Sequence, residues 1–516
     1  MKSFQLINWS VPVVVLTALI GSQFNNAAPT TVEFAPPQTR VTPVNAVANA
    51  LPFTLEFVEK KYGSTRPLPG LQSYVAAPSK GGDWLFVGGR RQGLHTFEPA
   101  PVKNFIPDSA NNLLLVINPT NGQQWSFDVN KLPPALSAPL QAANQQSWYD
   151  RATRQLYIVG GYGWKADKTD MITFNTILRF KVDDLVAAIK TAQPPTRIAT
   201  LIEVATDDRL AVTGGELFQM NSTFYLVFGQ KFTGQYRAFG GSDFEQTYTE
   251  EVRNFRLMPN QLKILSYGAT TNTEPDRPFH RRDGNIIHDI NPTTGKPRIA
   301  AFGGVFKPGI IGAYTYPIYI DGPGTPTVDR TGNQKFSQYG CPVISVYDGG
   351  ATRSVYHTFF GGIGHYYYAQ TPTQKAVYDS ATQQGRNDGM PFVADVTTFL
   401  QSANGTYKEF IHPNPIPGNR LAGSSVPFLL NQAMVAKGYT YENGVINLAR
   451  IPKQVRLLIG YIYGGVEARN PLPSRPNSGT SGSSSVFGVY LTYKPSAAIP
   501  ANQGHQSVTN AAHLSR

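Results

Sequence analysis

The sequence is poor in cysteine and in charged side chains. Cys341 is the single cysteine among 516 residues, so no disulfide can form within the chain. Charged residues make up only 15% of the sequence and hydrophobic residues 41%, a balance that argues against an extended, disordered protein. The fold must therefore be held by burial of apolar surface, which a chain of this length can supply.

Long apolar runs are also absent, with one exception near the N-terminus. Residues 11–20 form an apolar run that is followed by small residues, among them Gly21 and Ala28. The run is shorter than the ~20 residues needed to cross a bilayer and has the length of a signal-peptide core. We therefore predict a signal peptide over residues 1–28 and a linker over 29–50. The mature protein is expected to be secreted, periplasmic or at the cell surface, without an integral membrane segment.

Signatures of catalysis, metal binding and nucleic-acid binding are missing as well. No two of the eight histidines have the spacing of metal ligands one helical turn apart, and no G-x-S-x-G stretch occurs. Lysine and arginine outnumber the acidic residues by 45 to 33, which gives a net charge of +12, but they form no basic helix or finger. We predict no catalytic residue, no metal and no cofactor, and partners that are acidic but not nucleic acid.

The sequence is instead rich in glycine, proline and aromatic residues, with 48 Gly, 40 Pro, 26 Tyr and 29 Phe. This composition favours short strands joined by turns, and predicts an all-β protein. Six segments share one pattern, an apolar run that ends in Gly-Gly or, once, in Phe-Gly. They are residues 83–90, 155–164, 223–231, 298–306, 357–364 and 458–466.

Each of these segments follows one predicted strand and precedes one or more further predicted strands. The clearest example of the latter is residues 112–129, where an Asn-Gly turn joins two strands, the second bearing Trp125. The whole pattern resembles the kelch repeat, in which a double glycine ends the second strand of a four-stranded blade. The resemblance covers about residues 51–495 and implies a six-bladed β-propeller. Its units are spaced more widely than the usual ~50 residues, so insertions are expected.

The glycine pairs have a conformational explanation. At the end of the second strand the chain must turn sharply, close to a neighbouring strand. Glycine adopts a positive φ without steric cost and lets two backbones approach each other. We therefore expect positive φ values at these positions.

A count of strands predicts how the propeller closes. The last unit supplies only three strands, and residues 496–516 are polar and predicted to form a disordered tail. Residues 51–60 are β-rich, with apolar Phe53 and Leu55 alternating with polar neighbours. We predict that they pair antiparallel with residues 486–493 and complete the last blade.

A single helix is expected within the repeat. Residues 182–192 place apolar side chains at helical spacing. This segment is predicted to be a short helix inserted in the second blade.

The resemblance also implies where a ligand binds. In a propeller, the second strand of each blade ends on the face where the first strand begins, and the loops there surround the central channel. The side chains expected on this face are basic, aromatic or polar and suit a protein or an anionic glycan. The candidate ligand-binding residues are Arg90, Arg91, Trp164, Lys165, His280, Arg281, Arg282, Asp283, Tyr339, His365, Tyr366 and Arg420.

Arg281, Arg282 and Asp283 form the densest polar cluster of this set. Two arginines and a carboxylate suit an anion clamp, in which Asp283 orients one guanidinium. The same residues equally suit a structural salt bridge between neighbouring blades. The aromatic stretch at residues 365–368 suits either stacking against a sugar or packing within its loop.

Two classes of function remain open. The first is an exported, non-catalytic propeller that binds a protein or an anionic glycan on its channel face, and the missing catalytic constellation favours it. The second is a carbohydrate-active kelch enzyme. A copper-radical sugar oxidase needs a set of which Tyr339, Cys341, His280 and His365 supply part, and the paired arginines would suit the substrate of a sialic-acid mutarotase.

Overall fold

The computed structural model describes the backbone of residues 51–62, 67–96, 98–236, 243–308, 313–350, 353–370, 375–379, 390–471 and 479–494. The predicted signal peptide, linker and C-terminal tail lie outside these ranges. Within them the chain consists mainly of short strands in small antiparallel sheets, with few helices. The prediction of an all-β protein is confirmed. No helix in the described part is both long and apolar enough to span a membrane.

Six sheets, numbered 1 to 6 in chain order, contain most of the strands. Each has four antiparallel strands, and every strand pairs with the next one named. They are Val75–Pro78, Trp84–Val87, Leu113–Ile117 and Gln124–Asp128 in sheet 1; Gln146–Asp150, Gln155–Val159, Thr176–Lys181 and Glu203–Thr206 in sheet 2; Glu216–Met220, Thr223–Val227, Glu251–Leu257 and Ile264–Thr271 in sheet 3; Asn285–Ile290, Pro297–Phe302, Ile318–Ile320 and Pro326–Val328 in sheet 4; Val343–Asp348, Ser354–Phe360, Val396–Ser402 and Tyr407–Ile411 in sheet 5; and Leu429–Leu430, Arg456–Tyr463, Val486–Tyr493 and Phe53–Glu59 in sheet 6.

Insertions add smaller elements to these sheets. An accessory sheet contains Tyr162–Trp164, Met171–Thr173, Gln230–Gly234 and Phe244–Tyr248. The remaining strands are Leu421–Ser424, Val466–Ala468 and Thr480–Gly482 in a three-stranded sheet, the hairpin of Tyr366–Gln370 and Lys375–Asp379, and Ile446–Asn447, which runs parallel to the first strand of sheet 5. The helices are α1 (Pro134–Leu140), α2 (Val182–Lys190), α3 (Pro195–Thr200) and α4 (Gln432–Ala436), with 3-10 turns at Pro107–Ser109, Val129–Lys131, Asp208–Leu210, Pro417–Asn419 and Leu448–Arg450.

Helix α2 confirms the one helix that the sequence predicted. Its buried face includes Leu185 and Ile189, and it packs beside sheets 1 and 2. The Nζ of Lys190 donates to Asp83 in sheet 1's first hairpin at 2.7 Å, and Arg154 in the first hairpin of sheet 2 pairs with Asp183. The helix therefore joins these two sheets at their hairpin ends.

The glycine pairs adopt the expected conformation in all six sheets. Both residues of every pair have positive φ, including Phe228, at 56°, in the one pair that lacks its first glycine. In five pairs a backbone N–H donates to a carbonyl oxygen just ahead of the first strand of another sheet. These bonds are Gly89 to Ala142 at 2.9 Å, Gly161 to Val212 at 2.8 Å, Gly229 to Arg281 at 3.0 Å, Gly362 to Ala422 at 3.0 Å and Gly465 to Leu71 at 2.8 Å. The last bond runs from sheet 6 back to sheet 1.

One residue at the entry to each sheet forms a second set of contacts, which we call the entry ring. Its members all have positive φ: Ser73 at 54°, Asn144 at 50°, Gly214 at 69°, Asp283 at 54°, Gly340 at 56° and Ser425 at 62°. In five of the six members, all except Gly340, the backbone N–H donates to the carbonyl of the member from the preceding sheet. These bonds are Asn144 to Ser73 at 3.1 Å, Gly214 to Asn144 at 3.3 Å, Asp283 to Gly214 at 2.8 Å, Ser425 to Gly340, and Ser73 to Ser425 at 2.7 Å.

The hydrophobic core lies between neighbouring sheets. In the second strand of sheet 1, Trp84 and Phe86 belong to the cluster shared with sheets 5 and 6, whereas Leu85 and Val87 belong to the cluster shared with sheet 2. This alternation follows from the two-residue period of a strand. Further clusters join sheet 2 to sheet 3, sheet 3 to sheet 4 and sheet 4 to sheet 5.

The N-terminal strand pairs where the sequence predicted. Phe53–Glu59 runs antiparallel to Val486–Tyr493, from Phe53 opposite Tyr493 to Glu59 opposite Phe487. Phe53 and Leu55 are buried, whereas Val58 is exposed. The N–H of Lys494 also donates to the carbonyl of Pro52 at 2.8 Å. The first strand of the described chain therefore completes a sheet with its last.

Candidate functional site

The entry ring includes Asp283, one of the predicted ligand-binding residues, whose carboxylate accepts from Arg282. The six residues of the ring are bonded backbone to backbone, and all six line one end of the same cavity. The predicted residues lie on different sheets, and only a few of them meet.

Arg281 is buried, with 1% of its surface exposed. Its Nε donates to Pro278 O at 2.8 Å, its Nη1 to Gly303 O at 2.9 Å and its Nη2 to Tyr316 O at 3.0 Å. Its guanidinium also lies 4.3 Å above the ring of Tyr314. All of these partners belong to the protein itself, so we leave Arg281 out of the candidate site.

Arg282, its sequence neighbour, points to a different environment. Its Nη1 donates to Asp283 Oδ2 at 2.6 Å, and its Nε donates to the hydroxyl of Tyr248 at 3.1 Å. The guanidinium lies 4.6 Å from the ring centre of Phe306 and 5.4 Å from that of Tyr236. Phe306 is 39% exposed. A fixed cation and an exposed aromatic ring are thus presented together.

His280 extends this group on one side. Its ring stacks on Tyr248 with 3.6 Å between the ring centres, and its Nδ1 lies 2.7 Å from Glu250 Oε1. On the other side, the ring of Tyr236 stacks on His95 at 4.9 Å and on Phe232 of the accessory sheet at 4.1 Å. The arginine–aromatic cluster, as we name it, comprises Tyr236, Tyr248, His280, Arg282, Asp283 and Phe306.

The charge of Arg282 is secured by its surroundings. Burial opposes the charged form, but the neighbouring Tyr236, Asp283 and Tyr248 more than compensate and raise its pKa above the ordinary value. The tyrosine hydroxyl and the carboxylate also fix the plane of the guanidinium, which preserves the fork geometry that arginine uses to bind carboxylates and sulfates or phosphates.

Most of the other predicted site residues lie apart from the cluster. Arg90 is buried over Phe105 and donates to Gln92 at 2.7 Å. Arg420 pairs with Glu467 and lies 3.2 Å from Glu59. The remaining predicted residues each have a different environment. Arg91 donates to Asn112 at 3.2 Å, Trp164 is buried under Lys103, and Lys165 lies 4.0 Å from Asp170. Tyr339 forms a β-bridge with Ile363, and the N–H of His365 donates to Phe336 O at 2.8 Å. The side chain of Tyr366 lies outside the described part.

Cys341 is buried beside the cavity. Asn285 contacts its Sγ at 3.5 Å, and burial raises the pKa of the thiol to about 12. Among the described residues, no group of three His, Cys, Asp or Glu side chains has the arrangement of a metal site. The copper-radical alternative stays a prediction from the sequence.

The candidate ligand-binding residues do not include three members of the cluster: Phe306, which lies two residues after the fourth glycine pair, and the two tyrosines Tyr236 and Tyr248. Both belong to the insertion around the accessory sheet, whose strands Gln230–Gly234 and Phe244–Tyr248 pair with each other. No repeat marks them. The one available signal is the aromatic content of the segment after the third glycine position, which alternates Phe232, Tyr236, Phe244 and Tyr248 with polar residues.

No family model matches the sequence, and no curated protein is similar to it. Among solved structures, that of YjhT is similar with a TM-score of 0.42 and 11% identity, over 82% of this chain and 95% of YjhT.

Proposed function

We propose that the six sheets are the blades of one closed, kelch-like β-propeller. Three independent series of contacts support this: the bonds of the glycine pairs, the entry ring and the hydrophobic clusters between sheets. Two of the series include a bond from sheet 6 to sheet 1, namely Gly465 to Leu71 and Ser73 to Ser425. In this arrangement the first strands are innermost, and Phe53–Glu59 supplies the outermost strand of the last blade.

We further propose that this propeller is an exported, non-catalytic binding module for an acidic ligand. The observation that carries the proposal is Arg282, held by Asp283 and Tyr248 beside the exposed ring of Phe306. Because Asp283 and Tyr248 already orient the guanidinium, little conformational entropy is lost when an anion binds. An exposed aromatic ring beside a cation suits a sugar ring that bears a carboxylate or sulfate. An anionic glycan is therefore the ligand class that we favour, ahead of an acidic protein surface.

A glycan array with uronic acid, sulfated, sialylated and neutral members tests this proposal. The wild-type protein is expected to bind acidic members selectively, with an affinity that falls as salt rises. Arg282→Ala is expected to weaken binding at least tenfold, since a lost charge-assisted hydrogen bond costs roughly 1.5–3 kcal/mol. Phe306→Ala should weaken binding of glycans more than that of inorganic sulfate.

Arg209→Ala is the matched control. Arg209 also pairs with a neighbouring carboxylate, Asp207, and lies 4.9 Å from an aromatic ring, that of Tyr267, but it is outside the cluster. The variant removes the same charge and is expected to keep full binding. Equal losses in the two arginine variants would show that net charge alone attracts the ligand, and would contradict a site at Arg282. Binding of acidic proteins without binding of any glycan would replace the glycan as ligand.

Export remains a separate proposal, based on the N-terminal sequence. Expression with the full N-terminal segment, followed by N-terminal sequencing of the protein outside the cytoplasm, tests it. The mature protein is expected to begin between Ser22 and Pro29. Recovery of the chain with Met1 intact, and only in the cytoplasm, would contradict it.

A further inference from the structure

A second site of different chemistry lies inside the six sheets. First strands of all six sheets line a cavity of about 400 Å3, and the entry ring forms one end of it. Arg151 and Gly444 lie beyond the ends of the first strands, at the other end of the cavity. The volume falls within the range of small-molecule pockets, roughly 300–1,000 Å3.

Glu216 and Asp283 are the two acidic residues that line the cavity, and Asp283 is paired with Arg282. Glu216 lies two residues after Gly214 of the entry ring and opens the first strand of sheet 3. Burial raises its pKa to about 8, and the N–H of Leu217 offsets this only in part. Among the described residues no lysine or arginine forms an ion pair with Glu216. Glu216 is half-buried, and a carboxyl group that is partly removed from water commonly has such a partner, because burial of an unpaired charge is costly.

Aromatic side chains surround the same space. Phe218 follows Glu216 by two residues and therefore shares its face of the strand. The rings of Phe218 and Trp148 both meet His288 edge to face, at 4.8 Å and 5.1 Å between ring centres. Burial and nearby Arg151 lower the pKa of His288 to about 3, so this histidine is neutral at physiological pH. The wall near Glu216 thus combines a carboxyl group with the faces and edges of uncharged rings.

Some polar groups of the cavity wall bond to the protein itself, whereas others, such as Gln145 Oε1, have no hydrogen-bond partner among the described residues. The hydroxyl of Ser345 donates to His288 O at 2.8 Å. The amide of Asn285 donates to Gln338 O at 2.5 Å and accepts from the N–H of Cys341 at 3.0 Å.

The other titratable groups that line the cavity are committed elsewhere or are distant from Glu216 along the strands. The hydroxyl of Tyr74 donates to Tyr463 O at 2.7 Å, and Asp283 pairs with Arg282. Tyr149 and Arg151 lie at the far end of the first strand of sheet 2, and Cys341 is a neutral thiol at physiological pH. Protonation of Glu216 is therefore the event near neutral pH that would change the charge of this wall.

We propose that this cavity binds a small organic ammonium compound, whose charged nitrogen pairs with the carboxylate of Glu216 and whose apolar part packs against Trp148 and Phe218. Cations are attracted both to a carboxylate and to the faces of aromatic rings. At neutral pH the carboxylic acid must lose its proton to form the ion pair, so one proton passes to the solvent for each ligand bound. This site is independent of the arginine–aromatic cluster, which takes anions.

Calorimetry with benzylamine and its neutral isostere benzyl alcohol tests the proposal on the full chain. Benzylamine is expected to bind with release of a proton, visible as a binding heat that depends on the ionisation enthalpy of the buffer. Its affinity is expected to rise about 50-fold from pH 6 to pH 8, as Glu216 ionises. Benzyl alcohol should bind more weakly and without dependence on pH.

Glu216→Gln should lower the affinity for benzylamine at least tenfold and abolish its pH dependence. Glu409→Gln is the matched control: burial also raises the pKa of Glu409 to about 8, but this residue does not line the cavity, so binding should be unchanged. Equal binding of the alcohol, absence of benzylamine binding at pH 8, or a pH profile that survives in Glu216→Gln would each overturn the proposal. Should that variant not fold, the comparison of amine with alcohol across pH in the wild type decides.

Discussion

The Nε of Arg456 donates to Oε2 of Glu56 at 2.7 Å, across the strand that separates them in sheet 6. Its guanidinium lies 3.6 Å from the ring centre of Tyr490 on that intervening strand. One side chain thus connects three strands, one of which comes from the opposite end of the described chain. Since both charged partners are about half exposed, the pair itself contributes little free energy. The attachment of the first strand must rest mainly on its buried residues.

Deletion of residues 51–60 is therefore expected to lower the thermal unfolding midpoint sharply or to cause aggregation. The deletion removes buried Phe53 and Leu55 and exposes the edge of Val486–Tyr493 with which they pair. Deletion of residues 496–516 is the control and is expected to have little effect. A finer comparison uses Phe53→Ala, expected to cost about 3–5 kcal/mol, against Thr54→Ala on the other face. Equal effects of the two deletions would mean that the first strand does not close the fold.

Alanine at a glycine pair should destabilise the protein more than alanine at an unrelated glycine with the same backbone conformation. Gly160 and Gly82 both have positive φ, at 63° and 85°. A side chain at Gly160 would collide with the carbonyl oxygen of Val212, whereas nothing lies within 4 Å of one at Gly82. We expect Gly82→Ala to lower the free energy of unfolding by about 1–2 kcal/mol and Gly160→Ala to lower it by roughly 3 kcal/mol or more. Urea denaturation of both variants measures these changes. Similar costs would show that conformation alone explains these glycines.

The two adjacent arginines are expected to respond in opposite ways to substitution. Arg281→Ala removes three hydrogen bonds to buried carbonyl oxygens and should cost at least ~3 kcal/mol of stability. Arg282→Ala should leave the unfolding midpoint within a few degrees of the wild type and affect binding instead. Chemical denaturation of both variants, together with the glycan array, checks this. A double variant of both residues would not separate the two roles.

Glu409 gives a prediction about pH. The N–H groups of Lys335 and Phe336 donate to its carboxylate at 2.8 Å and 3.3 Å, but burial still raises its pKa from 4.5 to about 8. Between these two values the folded state holds a proton that the unfolded state has lost. The contribution of Glu409 to stability is therefore complete below about pH 4.5, falls as pH rises to about 8, and is constant above.

The Glu409→Gln variant should accordingly show a shallower decline of the unfolding midpoint between pH 5 and pH 8. Glutamine has nearly the same volume and keeps one acceptor oxygen, which can accept from the N–H of Lys335, so the variant is expected to fold although the N–H of Phe336 loses its acceptor. Glu442→Gln, at an exposed position, is the control and should keep the slope of the wild type. An unchanged slope in Glu409→Gln would mean that this carboxyl group ionises normally in the folded protein.

The features that the sequence predicted correctly depend on local patterns. The glycine pairs, helix α2 and the strand Phe53–Glu59 each have a signal within about ten neighbouring residues, namely backbone freedom, helical spacing and alternation. The accessory sheet has no such signal. Its three-residue strands, such as Tyr162–Trp164, are too short for a pattern, and Met171–Thr173 meets Gln230–Gly234 from a distant part of the chain.

The candidate site was predictable only in part, for a similar reason. The sequence alone does not distinguish the environment of Arg281 from that of Arg282. In the fold, the guanidinium of Arg281 donates to backbone carbonyl oxygens, whereas that of Arg282 donates to the hydroxyl of Tyr248. No local sequence pattern distinguishes Glu216 from the other glutamates, because its place in the cavity wall depends on the tertiary structure. The entry ring has a weak signal in the sequence: its members are Ser, Asn, Asp or Gly, the residue types that tolerate positive φ or favour turns.

The bond from Lys494 N–H to Pro52 O brings the two ends of the described chain into contact. A short peptide linker can therefore join these ends without distorting sheet 6, and new termini can be opened elsewhere, for example in the exposed hairpin at Lys80 and Gly81. In such a circular permutant Phe53–Glu59 and Val486–Tyr493 would be consecutive strands of one ordinary hairpin. The permutant would form its sixth sheet from local contacts, so closure would no longer require the two ends of the chain to find each other during folding.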